Sequence, residues 1–214
     1  MRNSFNTQLD NLNKELVRMG TLCEKAISLS ICALTERDES VIEEVFETDN
    51  EIDQLERDIE SLCMKLILHQ QPVASDLRKI SSALKMISDM ERIGDQASDI
   101  AEIARHIMGS TAENEQNIRK MAKDAVKMVS ECIEAFVNHD LKAARRVMEY
   151  DDVVDGWFVR IKEELTKIIS QNNSMGGYCI DLLMIAKYLE RIGDHATNIS
   201  EWVEYSVTGI HPKG

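Results

Sequence analysis

Carboxylates recur at four-residue spacing along this chain. Glu91, Asp95 and Asp99 form one series. Glu190 and Asp194, followed by the amide Asn198, form another, and Asp49 with Asp53 and Asp151 with Asp155 add two shorter ones. On a helix, side chains at i and i+4 are neighbours, and like charges there cost about 0.2–0.5 kcal/mol per pair. A sequence shaped only for helix stability would place Lys or Arg at one member of each pair. Clusters of oxygen donors suit hard or borderline cations such as Mg, Mn, Fe or Zn. Asp49, Asp53, Glu91, Asp95, Asp99, Asp151, Asp155, Glu190, Asp194 and Asn198 are therefore the candidate metal ligands. Two plainer explanations stand beside that one. Arg57, Arg92, Arg160 and Arg191 can form salt-bridge ladders with these acids, or the acids can simply face solvent.

The register of the series favours convergence. In an antiparallel helix pair, residues at equal height share a midpoint in the sequence. Asp49 with Asp95, and Asp53 with Glu91, both centre on Pro72. Asp151 with Asp194, and Asp155 with Glu190, both centre between Asn172 and Asn173. Each set of acids is expected to sit level across a hairpin. No His follows a Glu at the spacing of an E-x-x-H di-iron element, and His195 reads as a solvated or capping residue rather than a ligand. Glycine-rich phosphate loops, dinucleotide fingerprints and nucleophile elbows are absent. A carboxylate-bridged metal-dependent hydrolase or oxidase would need open metal positions, a pocket and a general base. The sequence offers ligands but no distinct base, so the reading is a non-enzymatic protein.

The elements that must position these residues are helices. Helical periodicity runs from Leu9 to Tyr205 with few breaks. Asp38 and Asp140 are each placed to cap a following helix. Pro72 cannot continue a helical ladder, and Ser75 is placed to cap the next helix. Gly109-Ser110-Thr111 breaks the chain, with Ser110 and Glu113 at capping-box spacing. Ser170 to Gly177 is the last loop. This predicts three long helices before about residue 110 and three after it.

The two halves also repeat each other. Glu91-Arg92-Ile93-Gly94-Asp95 returns 99 residues later as Glu190-Arg191-Ile192-Gly193-Asp194, and Asp38, Asp49 and Asp53 return 102 residues later as Asp140, Asp151 and Asp155. The difference of three fits a shorter second hairpin. Several aligned features in one order establish an internal duplication. The expected fold is all-α: six long helices in two tandem three-helix bundles, covering residues 1–110 and 111–214. Gly94 and Gly193 fall mid-helix, where glycine costs about 1 kcal/mol against alanine. Their recurrence predicts a close approach of another helix at both.

Composition bounds the partners. The net charge of −13 excludes a broad basic surface, so neither nucleic acid nor a broad anionic-lipid face is expected. The five cysteines are odd in number and make no C-x-x-C pair; they read as reduced core thiols. Eleven methionines fit gap-filling in helical cores. The first residues carry no apolar leader, and no run nears the ~18–20 apolar residues of a membrane span. A cytoplasmic location without membrane insertion is the expectation.

At the doubled ERIGD motif and its level partners, Asp49-x-x-x-Asp53 and Asp151-x-x-x-Asp155, the chain resembles the PhoU family of phosphate-transport regulators. The resemblance covers essentially the whole chain. It implies a cytoplasmic, homodimeric adaptor that restrains phosphate uptake beside the ATPase of the phosphate ABC transporter and informs a sensor histidine kinase. It also implies Fe or Zn at these motifs in some members, and the oxygen donors leave Mn and Mg as alternatives. Asn198, in place of the first copy's Asp99, departs from the pattern and weakens the second site.

Overall fold

The computed structural model describes residues 2–70, 72–108 and 115–210. Six helices follow one another: α1 Arg2–Glu36, α2 Glu39–Gln70, α3 Ala74–Ile107, α4 Gln116–Asn138, α5 Leu141–Gln171 and α6 Gly176–Thr208. A 3-10 turn, Asn173–Met175, precedes α6. The helix count and the all-α class are as the periodicity predicts. The Gly109–Thr111 break and the Ser110/Glu113 pair lie outside the described residues.

Equivalent turns are built alike. The first hairpin turns through Arg37 and the third through His139, each at positive φ (57° and 54°), and each is followed by an aspartate. Asp38 Oδ1 accepts from the Ser40 amide at 2.9 Å. Asp140 accepts from the amides of Lys142 and Ala143. Both aspartates satisfy backbone donors that a helix start leaves without partners. Ser75 does not act as the cap of α3. The helix begins one residue earlier, behind an extended Val73 that offers no side-chain cap. The last loop is also shorter than its composition suggests, because α5 runs on to Gln171 and α6 starts at Gly176.

The apolar spacing explains the packing. Along α1, Leu12, Leu16, Met19, Cys23, Ile27 and Leu34 are fully buried at steps of three, four or seven, one stripe facing the core. α3 and α6 are buried on broader arcs, as Ile80, Ala83, Ile87 and Met90 on α3 and Leu182, Ile185, Leu189 and Ile192 on α6 illustrate. These two helices are central, and among the described residues their mutual contact is the most extensive between helices. α1 also crosses α4, where Gly20 lies directly against Ile133. The two three-helix halves thus share one continuous apolar core. Cys23, Cys63, Cys132 and Cys179 are buried in it, Cys32 is half-buried, and all five are free thiols. Burial pushes the Cys63 thiol up to about 12 and the Cys23 and Cys132 thiols upward as well.

Candidate carboxylate faces

Each face is built on the outer helix of a half and on the central helix beside it. On the first, α2 supplies Asp49 and Asp53, and α3 supplies Glu91 and Asp95. Their charges act on one another. Burial first, then the charges of Asp53, Asp95 and Asp99, raise Asp49, against the lowering effect of a hydrogen bond from Ser98. Burial and then Asp95 raise Glu91, which Arg92 opposes. The Ser98 hydroxyl donates to Asp49 Oδ2 at 2.8 Å, while Asp49 Oδ1 is buried without a hydrogen-bond partner.

Gly94 is what admits this carboxylate. A Cβ at Gly94 would lie 2.6 Å from Asp49 Oδ1 and 3.1 Å from Ile52 Cδ1. The close approach expected at the ERIGD glycine is real, and its partner is the acidic side chain of the neighbouring helix. The second copy repeats it with more room. A Cβ at Gly193 would lie 3.1 Å from Asp151 Oδ1 and 3.3 Å from Val154 Cγ1.

The second face differs from the first in one hydroxyl. Thr197 stands where Ser98 does, and its Oγ1 and Asp151 Oδ1 are both buried without partners. Burial, followed by Asp155, Asp194, Asp152 and Glu190, lifts Asp151 to about 6. Asp155 is raised by burial and then by Glu190 and Asp194, with Lys187 opposing.

Cations touch both faces without covering them. Arg92 reaches Asp95 at 2.7 Å and Glu91 at 3.4 Å, Arg57 stands 3.8 Å from Asp53, and Lys187 pairs with Glu190. Arg160 instead stacks over the Trp157 ring at 5.0 Å. Burial first raises both Asp99 and Tyr188, and Arg191 opposes the shift at each.

Asn198 lies at the seam between α3 and α6, and Asp99, whose charge still reaches Asp49, borders the same seam. Asp99 and Tyr188 act on each other across this seam. Asn198 Nδ2 donates to Asp89 Oδ1 at 3.2 Å, and His195 Nδ1 lies 2.9 Å from the same oxygen. His195 is therefore neither a cap nor a solvated residue; it is a half-buried seam residue. Reading the carboxylate series alone missed Asp89, Tyr188 and Ser98. The 99-residue shift carries a signal for them, because it maps Asp89 onto Tyr188 and Asp99 onto Asn198.

The donor set of each face is all oxygen, and the unpartnered Oδ1 atoms of Asp49 and Asp151 suit a hard or borderline cation in chemistry. Among the described residues, no three His, Cys, Asp or Glu side chains stand together closely enough to grip one ion as placed. A cation bound here would draw the carboxylates inward. The faces are therefore partly neutralised acidic surfaces with one reserved oxygen each, fit to meet a positive charge.

Comparison with known proteins supplies what geometry does not. The PhoU domain model matches residues 16–104 and 118–203. A Clostridium acetobutylicum protein named phosphate-specific transport system accessory protein PhoU homolog is 37% identical over 210 residues, spanning 97% of this chain and 96% of its own. A homolog of the same name from Pseudomonas aeruginosa is 35% identical over 207 residues, spanning 96% of this chain and 86% of its own. The crystal structure of PhoU from Pseudomonas aeruginosa superposes with a TM-score of 0.90 at 35% identity, over 96% of this chain and all of that one. The phosphate transport system regulatory protein PhoU from Streptococcus pneumoniae gives 0.89 at 27% identity, over 98% and 99% of the two chains.

Proposed function

The chain belongs to the PhoU family, and from that premise we propose that it is a regulatory accessory protein of phosphate-specific transport. The observation that carries the proposal is full-length similarity to proteins bearing that name. The finer reading is a non-enzymatic adaptor, working in the cytoplasm as a homodimer. Its partners are the ATPase of the phosphate ABC transporter and a sensor histidine kinase. An adaptor needs complementary surfaces rather than a nucleophile, and acidic faces suit basic patches on such partners.

Where a cation is bound, Asp49, Asp53, Glu91 and Asp95 would hold it on the first face, and Asp151, Asp155, Glu190 and Asp194 on the second. Fe or Zn are the proposed metals, with Mn and Mg as alternatives. The ion would supply positive charge and tie two helices together.

The test uses a bacterial host whose own regulator is deleted. Asp95→Ala combined with Asp194→Ala is expected to fold, by circular dichroism, and to lose restraint of phosphate uptake. Full restraint by the folded double variant would falsify the role given to the faces. Elemental analysis of protein purified without chelator or affinity tag separates the two ways the faces could act. Stoichiometric metal lost in the variant supports a cation-bridged face. Metal-free protein, before and after metal is added back, leaves direct docking of carboxylates.

A further inference from the structure

The two hairpin tips occupy equivalent positions in the duplication and differ in character. At the α2–α3 tip, Leu68 is 69% exposed, Val73 60%, Met64 46% and Leu77 44%. The end of α6 lies beside them: a Cβ at Gly209 would sit 3.5 Å from Arg78 Cδ, and the next residue, Ile210, is 72% exposed. At the α5–α6 tip, the positions 102 residues after Met64 and Leu68 are Thr166 and Ser170, and the turn is Asn172-Asn173-Ser174. In the second copy the positions of Met64 and Leu68 are thus polar, although Ile180 near the start of α6 is 57% exposed, so the hairpin does not require apolar side chains in solvent at those two positions. An exposed apolar cluster of this kind marks an interaction surface.

Local charge says which surface. Between residues 61 and 88 the basic residues are Lys65, Arg78, Lys79 and Lys85, and the one acid is Asp76, in a chain whose net charge is −13. Lys65 and Lys85 are exposed while Arg78 and Lys79 are half-buried, and apolar side chains on a segment of net positive charge match the boundary of an anionic bilayer, where the apolar groups enter the headgroup layer and the lysines meet the lipid charge. We propose that the α2–α3 tip, with the end of α6, docks peripherally on anionic lipid.

The acidity of the rest of the molecule does not forbid this. Asp53 lies 15 residues from Leu68 along α2, and Glu91 lies 14 from Leu77 along α3. At 1.5 Å per residue that is about 21 Å, more than two Debye lengths of about 8 Å in physiological salt. Standing tip-first, the protein keeps its carboxylate faces outside the reach of the lipid charge. Docking is at the surface, because no described helix is long and apolar enough to cross a membrane. The inference rests on the tip and is independent of which transport partner the protein serves.

The experiment is co-sedimentation of the full chain with vesicles of phosphatidylcholine alone or mixed with phosphatidylglycerol. The protein is expected to pellet with the mixed vesicles and not with the neutral ones, and to be released as salt rises. Leu68→Ser combined with Val73→Ser should lower the bound fraction on the order of tenfold, and Lys65→Glu should lower it severalfold. Ser170→Glu, at the opposite tip, should leave it unchanged. All these side chains are exposed, and matching thermal melts show that the variants fold. No pelleting with the anionic vesicles at low salt, or equal pelleting by the tip variants, overturns the proposal. So does sedimentation velocity without lipid in which the Leu68/Val73 variant dissolves a dimer, since the tip is then covered by a second copy.

Discussion

Asp49 is the residue on which the first face turns, because Gly94 and Ser98 both act through it. Gly94→Ala gains about 1 kcal/mol of helix propensity, but the new methyl drives the carboxylate off its seat, at a cost of about 1–3 kcal/mol for overpacking. A net loss of about 1 kcal/mol is expected in chemical denaturation. Ser98→Ala should cost about 1 kcal/mol alone and little in the Gly94→Ala background, where its acceptor has already moved. Gly193→Ala, with the wider clearance of 3.1 Å, is expected to be close to neutral. Additive losses at 94 and 98 would mean that the two do not share Asp49. Asp151 makes a different prediction. Its folded pKa is about 6 against an ordinary 3.8, so between those values the folded protein binds a proton that the unfolded chain releases. The stability this brings is complete below about pH 4 and lost as pH rises through about 6. Asp151→Asn in metal-free buffer should flatten that slope and stabilise the protein at pH 7 by about 1 kcal/mol, the pKa displacement being discounted for partial exposure. An unchanged slope in thermal melts would assign the proton elsewhere. The glycines could be read as close approaches from the sequence because a costly residue recurs in both copies. That a carboxylate fills each gap could not, since i+4 spacing fixes a helix face but not the rotamer resting on the next helix.

At the scale of the element, the caps and the turns differ in how far sequence reveals them. Asp140 bonds two amides of α5, and Asp140→Ala should lower stability by about 1 kcal/mol. Ser75→Ala should change little, because Val73 precedes the first turn of α3. A large loss at Ser75 in the same denaturation assay would contradict that boundary. Asp38 and Asp140 were legible because an aspartate before an amphipathic run has a local physical job. Ser75 has the same composition cue, but Pro72 and the extended Val73 let the helix begin ahead of it. Arg37 and His139 carry no cue at all. Non-glycine residues enter the left-handed region at some cost, and at His139 that conformation ends α4, with the Asp140 amide donating to the Ala135 carbonyl at 2.9 Å.

For the whole molecule, the six helices and the duplication were legible in period and repeat, whereas the pairing of the halves was not. An amphipathic stripe states that a face is buried, not against which neighbour. The broad burial of α3 and α6 is the trace that this pairing left, since each must satisfy its own half and the other's central helix. Because both halves share one core, calorimetry should show a single unfolding transition, and residues 1–110 expressed alone should expose the α3 seam and fail to give a cooperative melt. Two separated transitions would show that the halves are independent. The seam also carries a record of descent. Asp89 of α3 meets Asn198 of α6, and Asp99 of α3 meets Tyr188 of α6; these are the same two positions with the helices exchanged. Such reciprocity belongs to the isologous interface of a two-fold dimer. It implies an ancestor half this length that paired with its own copy before gene fusion joined the two. Fusion freed each position from its twin, and only then could one copy carry Asp99 and Ser98 and the other Asn198 and Thr197, a divergence that no symmetric dimer of identical chains can undergo.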